Sequence, residues 1–398
     1  IQADGVIRVT FVASVPAAGN DYCEIPPFVQ GQTNLSPNVL IIFDNSGSMS
    51  TLSYKGNAGK NYDCTSSHNS TTNLCNTIYY GYFDPYTMYK TDTSNSNVYL
   101  KDTVTLNLSS TNGKSGNYLN YANMSRVDII RKVLVGGRVT GKGTTSLAGR
   151  GTTAVKYLYT DNGQWVEYGT VEPLGIVQNL EGRVRFGLQV LGNNSGSNTE
   201  GGQIIAKLGA SKATLVTAIE GPSTNPTTYT PLAEALYEAT RYYQAKPSAY
   251  NTNTDYGDST WNPSADPIIQ YACQKHFILL LTDGEPNSNN NLPGLSTKPT
   301  LNGYTDNVFD VVAWENKILE NDKASNTNTT CSSFVYNTGI SGNTNTEKTE
   351  AVAFYAHNTD LRSTTYGNDL TGNQNITIYP VYAFGDGKGT KTLHMVAK

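Results

Sequence analysis

Two uninterrupted apolar runs each stop at an aspartate, and they restrict the fold more than any other feature of the chain. Asn38-Val39-Leu40-Ile41-Ile42-Phe43 leads into Asp44, and Phe277-Ile278-Leu279-Leu280-Leu281-Thr282 leads into Asp283. Runs of this kind, with no polar alternation, suit strands buried on both faces in the middle of a parallel sheet. Around them strand and helix signals alternate. Further strands are predicted at 184–191, 203–207 and 376–384, and helices at 125–134, 213–220, 230–237, 308–320 and 350–357. This order predicts an α/β fold with a doubly wound, mostly parallel sheet, its strand carboxyl ends on one rim. Pro380 assigns the last strand to a sheet edge.

The residues at that rim carry the chemistry. Asp44-x-Ser46-x-Ser48 offers one carboxylate and two hydroxyls on a short loop around Gly47. Oxygen ligands suit a hard divalent cation, Mg²⁺ or Mn²⁺ first, with Ca²⁺ also compatible. The same residues fit a second reading, a strand-to-helix turn in which Asp and Ser only cap the next helix. In open α/β sheets, ligands bind beyond the strand carboxyl ends where the strand order reverses. Asp283 would meet Asp44 there if the two apolar strands are neighbours. Thr230, with Pro231 at the first helical position, opens a helix and can present its hydroxyl to the same rim. Singly, Thr230 reads as a helix cap and Asp283-Gly284 as a turn. Together, Asp44, Ser46, Ser48, Thr230 and Asp283 form a candidate metal-ligand set, with water and one exchangeable position completing the shell.

Composition narrows the setting. Lys and Arg number 28 against 32 Asp and Glu, a net charge of −4 with no basic cluster, which excludes a nucleic-acid binder. Charged residues are 15% of the chain, below the roughly 25% of ordinary soluble domains; Asn, Thr, Ser, Gly and 27 Tyr take their place. Such surfaces suit contact recognition outside the cytoplasm. Of the five cysteines, Cys64 and Cys75 flank a short polar loop and read as a local disulfide; the pairing of Cys23, Cys273 and Cys331 stays open. No apolar run reaches the roughly 18 residues of a membrane span.

Residues 1–36 read as an amino-terminal strand and linker. Ile7, Val9, Phe11, Ala13 and Val15 share one face of that strand, which could extend a partner's sheet. Residues 37–398 read as one domain interrupted at about 50–122, 138–181, 245–270 and 321–346. The first insertion holds ten tyrosines, which either build its own small core or serve recognition. The scattered histidines His68, His276, His357 and His394 show no zinc or nucleophile pattern. Gly113-Lys114-Ser115 lacks the earlier glycine of a phosphate-binding loop. An enzyme is not expected.

The order Asp44-x-Ser46-x-Ser48, Thr230, Asp283 resembles the metal-ion-dependent adhesion site of von Willebrand factor type A domains. A finer resemblance is to the PilY-type adhesins of bacterial type IV pili. It rests on Asp21-Tyr22-Cys23, Gly81-Tyr82-Phe83-Asp84-Pro85, Asn117-Tyr118-Leu119-Asn120, Ser125-Arg126-Val127-Asp128 and Cys273-Gln274-Lys275. The resemblance implies an extracellular module at the pilus tip. Its cation would accept an acidic group from a host or surface ligand, and minor pilins would be its partners. The alternating strand Ile7–Val15 motivates an alternative role, an assembly factor that docks on minor pilins to prime or cap the fibre, with the metal site mainly structural. In that family a β-propeller follows, so the chain is expected to be the amino-terminal part of a longer protein.

Overall fold

The computed structural model describes residues 35–55, 61–64, 77–107, 114–140, 156–169, 173–192, 200–251, 268–284, 286–287, 291–295, 308–325, 346–364, 369–384 and 396. The expected strand around Ile7–Val15 lies outside them, as do Cys23, Cys75 and Cys331; Cys273 is a free thiol. In chain order the first elements are β1 (Asn38–Phe43), β2 (Met88–Thr91), β3 (Val98–Asp102), α1 (Gly116–Asn123), α2 (Arg126–Val135), β4 (Val139–Thr140), β5 (Lys156–Tyr159), β6 (Trp165–Gly169) and α3 (Ile176–Asn179). They are followed by β7 (Arg185–Leu191), β8 (Gly202–Ala206), α4 (Lys212–Glu220), α5 (Leu232–Tyr243), β9 (His276–Thr282), α6 (Val311–Ser325), α7 (Thr346–Asn358) and β10 (Thr377–Tyr382). Two compact units result, one holding the described residues from Met49 to Asn179, the other those before Met49 and after Asn179.

The second of these units is built on a sheet of order β10-β9-β1-β7-β8. β1 lies at its centre because its residues can be buried on both faces: Leu40, Ile41, Ile42 and Phe43 are fully buried. It pairs in parallel with β7 and with β9 over its whole length, so Phe43 stands between Val190 and Leu281. β10 pairs in parallel with β9 and closes the sheet, the edge position expected of a strand bearing Pro380. The chain therefore runs from β1 out to β7 and β8, then returns to the other side of β1 for β9 and β10. The strand order reverses between β1 and β9.

The fold class is α/β, as the sequence predicts, and its sheets are mixed in strand direction. β8 runs antiparallel to β7. The segment joining them is too short for a crossover, which needs about a dozen residues or more. Helix α5 packs on β1, β7 and β8, and α7 packs on α5 and β10. Every residue of α5 is buried, including Glu234, Glu238 and Arg241. Buried charges need partners, and these have them. Glu234 accepts from the backbone N–H groups of Gly201 and Asn291, Glu238 from Ser248, Ala249 and Asn251, and Arg241 donates to the Pro247 carbonyl.

The unit from Met49 to Asn179 carries a second five-stranded sheet, β2-β3-β6-β5-β4, in which only β3 and β6 pair in parallel. The expected insertions at 50–122 and 138–181 thus hold five strands among their described residues. Each is two to five residues long, too short to display a period. Helix α2 begins and ends as the sequence predicts. Ser125 and Asp128 form a capping box and Gly136 closes the helix at φ +87°.

Most of the tyrosines make this unit's own core. Tyr62, Tyr79 and Tyr121 are buried around Cys64, with Tyr54 and Tyr118 packed against them. Phe83 sits edge-on between Tyr89 and Tyr99. Tyr80 and Tyr86 remain exposed. Asn120 fixes the turn that delivers these rings. Its Oδ1 accepts from Phe83 N–H at 3.0 Å, and its Nδ2 donates to the carbonyls of Tyr79 and Phe83, both at 2.8 Å. Asn120→Ala would leave three buried backbone groups unpaired, and we expect it to destabilise the protein by about 3 kcal/mol in urea unfolding followed by tyrosine fluorescence. A change under about 1 kcal/mol would contradict this role.

Candidate metal centre

The in-register pairing of β1 with β9 carries the two strand-end aspartates to the same rim. The ladder extends one step beyond β1, where Asp44 N–H donates to the Leu281 carbonyl at 3.0 Å. The loop after Asp44 is not the start of an α-helix. A single 3-10 turn, Gly47–Ser50, follows, so no α-helix is capped at this point. Instead, the Asp44 carboxylate organises the turn. Its Oδ1 accepts from Ser46 N–H at 2.7 Å and its Oδ2 accepts from the Thr282 hydroxyl at 2.6 Å.

A second set of bonds joins the serines to the other aspartate. Ser48 Oγ donates to Asp283 Oδ1 at 2.7 Å and lies 2.9 Å from Ser46 Oγ. The Ser48 proton being committed to Asp283, Ser46 is the donor in the serine pair. Asp44, Ser46 and Asp283 are buried, while Gly47 and Ser48 are exposed, so the rim is open to solvent on the Ser48 side. Four of the five predicted ligands therefore stand together.

Thr230 reaches the same rim by its backbone. The segment before it pairs with the aspartate loop through a parallel bridge between Ser46 and Thr228 and a bond from Gly47 N–H to the Thr228 carbonyl at 3.0 Å. Its expected role as helix cap is corrected. α5 starts at Leu232 and Pro231 takes the capping position, because its ψ of 62° keeps it outside the helix. Thr230 is thus one residue further from the helix than its spacing implies, and buried.

Sequence reasoning missed the residues that hold these loops. Asn45 accepts from Leu191 N–H through Oδ1 at 2.9 Å and donates from Nδ2 to the Ser223 carbonyl at 3.2 Å. Its own carbonyl accepts from Thr227 N–H at 2.9 Å. Asn287 grips Thr230 from both sides: its Oδ1 accepts from Thr230 N–H at 2.9 Å, and its N–H donates to the Thr230 carbonyl at 3.2 Å. Both asparagines lie within or just beyond the motifs at Asp44 and Asp283. Nothing in the sequence says which loop each one ties.

The donor set fits a hard divalent cation: two carboxylates and the serine hydroxyls, with no nitrogen or sulfur among them. Among the described residues no three His, Cys, Asp or Glu side chains cluster as a metal centre, so a cation here would need hydroxyls and solvent for the rest of its shell. Electrostatics favours one. Burial, followed by repulsion from Asp283, pushes the Asp44 carboxyl up to about 6 against the hydrogen bonds from Ser46 and Thr282. A cation between the two carboxylates would offset both effects.

The sign of that shift gives a test. In cation-free protein the folded state holds the Asp44 proton more tightly than the unfolded chain, whose carboxyl titrates near 3.8. The resulting stability is complete below about pH 4 and is lost as pH rises through about 6. In EDTA, Asp44→Asn should therefore become increasingly stabilising relative to wild type between pH 4 and 7, by on the order of 3 kcal/mol at the upper end. A pH-independent difference in urea unfolding would contradict the assignment.

Residues 70–203 match the family model described as "PilY1 homolog, small alpha/beta domain". The matched stretch runs from before β2 to the second residue of β8. No curated protein and no solved structure matches the chain. The family match supports a protein related to PilY1.

Proposed function

We propose that this chain is an extracellular, pilus-associated adhesion module. In this reading it holds a divalent cation with Asp44, Ser46, Ser48, Thr230 and Asp283 and offers that cation to an acidic group on a host or surface ligand. The observation that carries the reading is the hydroxyl chain from Ser46 through Ser48 to Asp283, set beside the buried Asp44 at the carboxyl ends of β1 and β9. Reversal of the strand order at that point is where an open α/β sheet takes its ligand. It also supports the von Willebrand type A reading of this unit.

The match of residues 70–203 to PilY1 homologues supports a type IV pilus-related role, with pilus-associated partners such as minor pilins. Among the described residues no helix is long and apolar enough to cross a membrane. The proposed role is binding rather than catalysis, since the carboxylates and hydroxyls gathered at the rim are oxygen donors of the type a hard cation takes.

Calorimetric titration with Mg²⁺ and Mn²⁺ tests the reading. Wild type should bind a single divalent cation at the rim. Asn45→Ala and Asn287→Ala should weaken it by roughly 10- to 100-fold, the usual cost of losing an outer-shell partner. Asp44→Ala and Asp283→Ala should weaken it further still. Equal affinity in the two aspartate variants, with folding intact by circular dichroism, would refute the site.

A further inference from the structure

Beside the rim lies a cleft of about 190 Å³ whose floor is shared with the cation loop. Asn45, Gln203, Ser223, Thr227 and Thr228 line it, together with the apolar Val190, Leu191 and Pro222. Asn45 is the residue between Asp44 and Ser46, and Thr228 accepts the Gly47 N–H, so cleft and cation loop are built from the same bonds. Pro222, Ser223 and Thr227 are exposed, which opens the cleft to solvent. The residue after Thr228 is Tyr229, which is 54% exposed and directly precedes Thr230.

We infer that this cleft is a saccharide subsite, an extension that rests on the adhesion reading above. The lining supplies two primary amides, that of Asn45 already bonded to Leu191 and Ser223, and three hydroxyls, and no ionisable group. Sugar hydroxyls both donate and accept, and amides and hydroxyls answer both needs. The lining offers no counter-ion to the charged end of a Lys, Arg, Asp or Glu side chain. The apolar Val190, Leu191 and Pro222 of the lining suit the apolar face of a sugar ring. The cleft is smaller than the roughly 300 Å³ at the low end of small-molecule sites, so it takes part of one sugar unit rather than an oligosaccharide. The ligand class is an acidic saccharide: its carboxylate belongs at the cation, its hydroxyls in the cleft.

Glucuronic acid, glucose, acetate and the tripeptide Gly-Asp-Gly are the probes. Binding to the intact chain is followed by saturation-transfer NMR in Mg²⁺ and in EDTA, and Mg²⁺ binding is measured separately by calorimetry. Glucuronic acid should bind wild type more tightly than acetate does. Gln203→Ala and Gln203→Leu should each weaken it about tenfold, the effect of one lost hydrogen bond, with the Mg²⁺ heat unchanged. Equal glucuronic acid affinity in those variants, or no preference over acetate, would overturn the subsite. So would tighter binding of the tripeptide that is lost in the same variants, which would make the cleft a peptide site. Failure of the adhesion reading looks different. Mg²⁺ heat would be absent from wild type, while sugar protons would still receive saturation that Gln203→Ala abolishes in both buffers. That pattern leaves the subsite standing without its cation.

Discussion

The functional geometry of this chain depends on the register between β1 and β9. Asn38 stands opposite His276 and Phe43 opposite Leu281, so Asp44 and the Thr282-Asp283 pair emerge together at the sheet rim. A slip of one residue would turn each strand's side chains to the opposite face, and Thr282 would no longer reach Asp44. The register is held from within, because both strands are central and apolar. At the other end Asn38 adds polar links, donating from Nδ2 to the Ile268 carbonyl and to Gln274 and accepting from Arg185. His276 beside it is kept neutral: burial, helped by Arg362, Lys275 and Arg185, pushes its pKa down to about 3.

From that ladder the remaining loops of the rim follow. Helix α5 is locked on the sheet by Gln189, whose Nε2 donates to the Ala235 carbonyl at 2.7 Å. The segment entering the helix, Thr227–Pro231, is thereby held against the Asp44 loop through Asn45 and Gly47. Asn287 then joins it to the segment after β9. Three loops far apart in sequence become one rim through backbone-directed hydrogen bonds made by side chains of modest size. The buried charges of α5 serve the same end, pinning the strand and loop segments around Gly201, Pro247 and Asn291 to a helix that cannot move without unpairing them.

What could be read from the sequence was whatever leaves a local signature. β1 and β9 announce themselves as unbroken apolar runs, and their terminal aspartates mark the rim. α2 carries its cap and its terminal glycine, and Pro380 marks an edge. The strands of the second sheet leave no such trace. β4 is two residues long, and β2 pairs its buried Met88 and Tyr89 with exposed Lys90, too brief for a period. The rim's supporting residues were hidden for another reason. Asn45, Thr282 and Asn287 have ordinary turn-forming identities, and their roles exist only after strands from distant parts of the chain have paired. Thr230 shows the limit of spacing rules: the Thr-Pro pair marks the helix entrance, but the backbone of Pro231 moves the helix start one residue on.

The central claim is that Asp44 and Asp283 face a shared cation. Crystals grown with Mn²⁺ and measured near the manganese absorption edge test it most directly. The account predicts an anomalous peak bonded to oxygens of the Asp44–Ser48 loop, with Asp283 and Thr230 in its immediate surroundings. An ordered rim without a peak at saturating Mn²⁺, or a peak bound elsewhere in the chain, would contradict it.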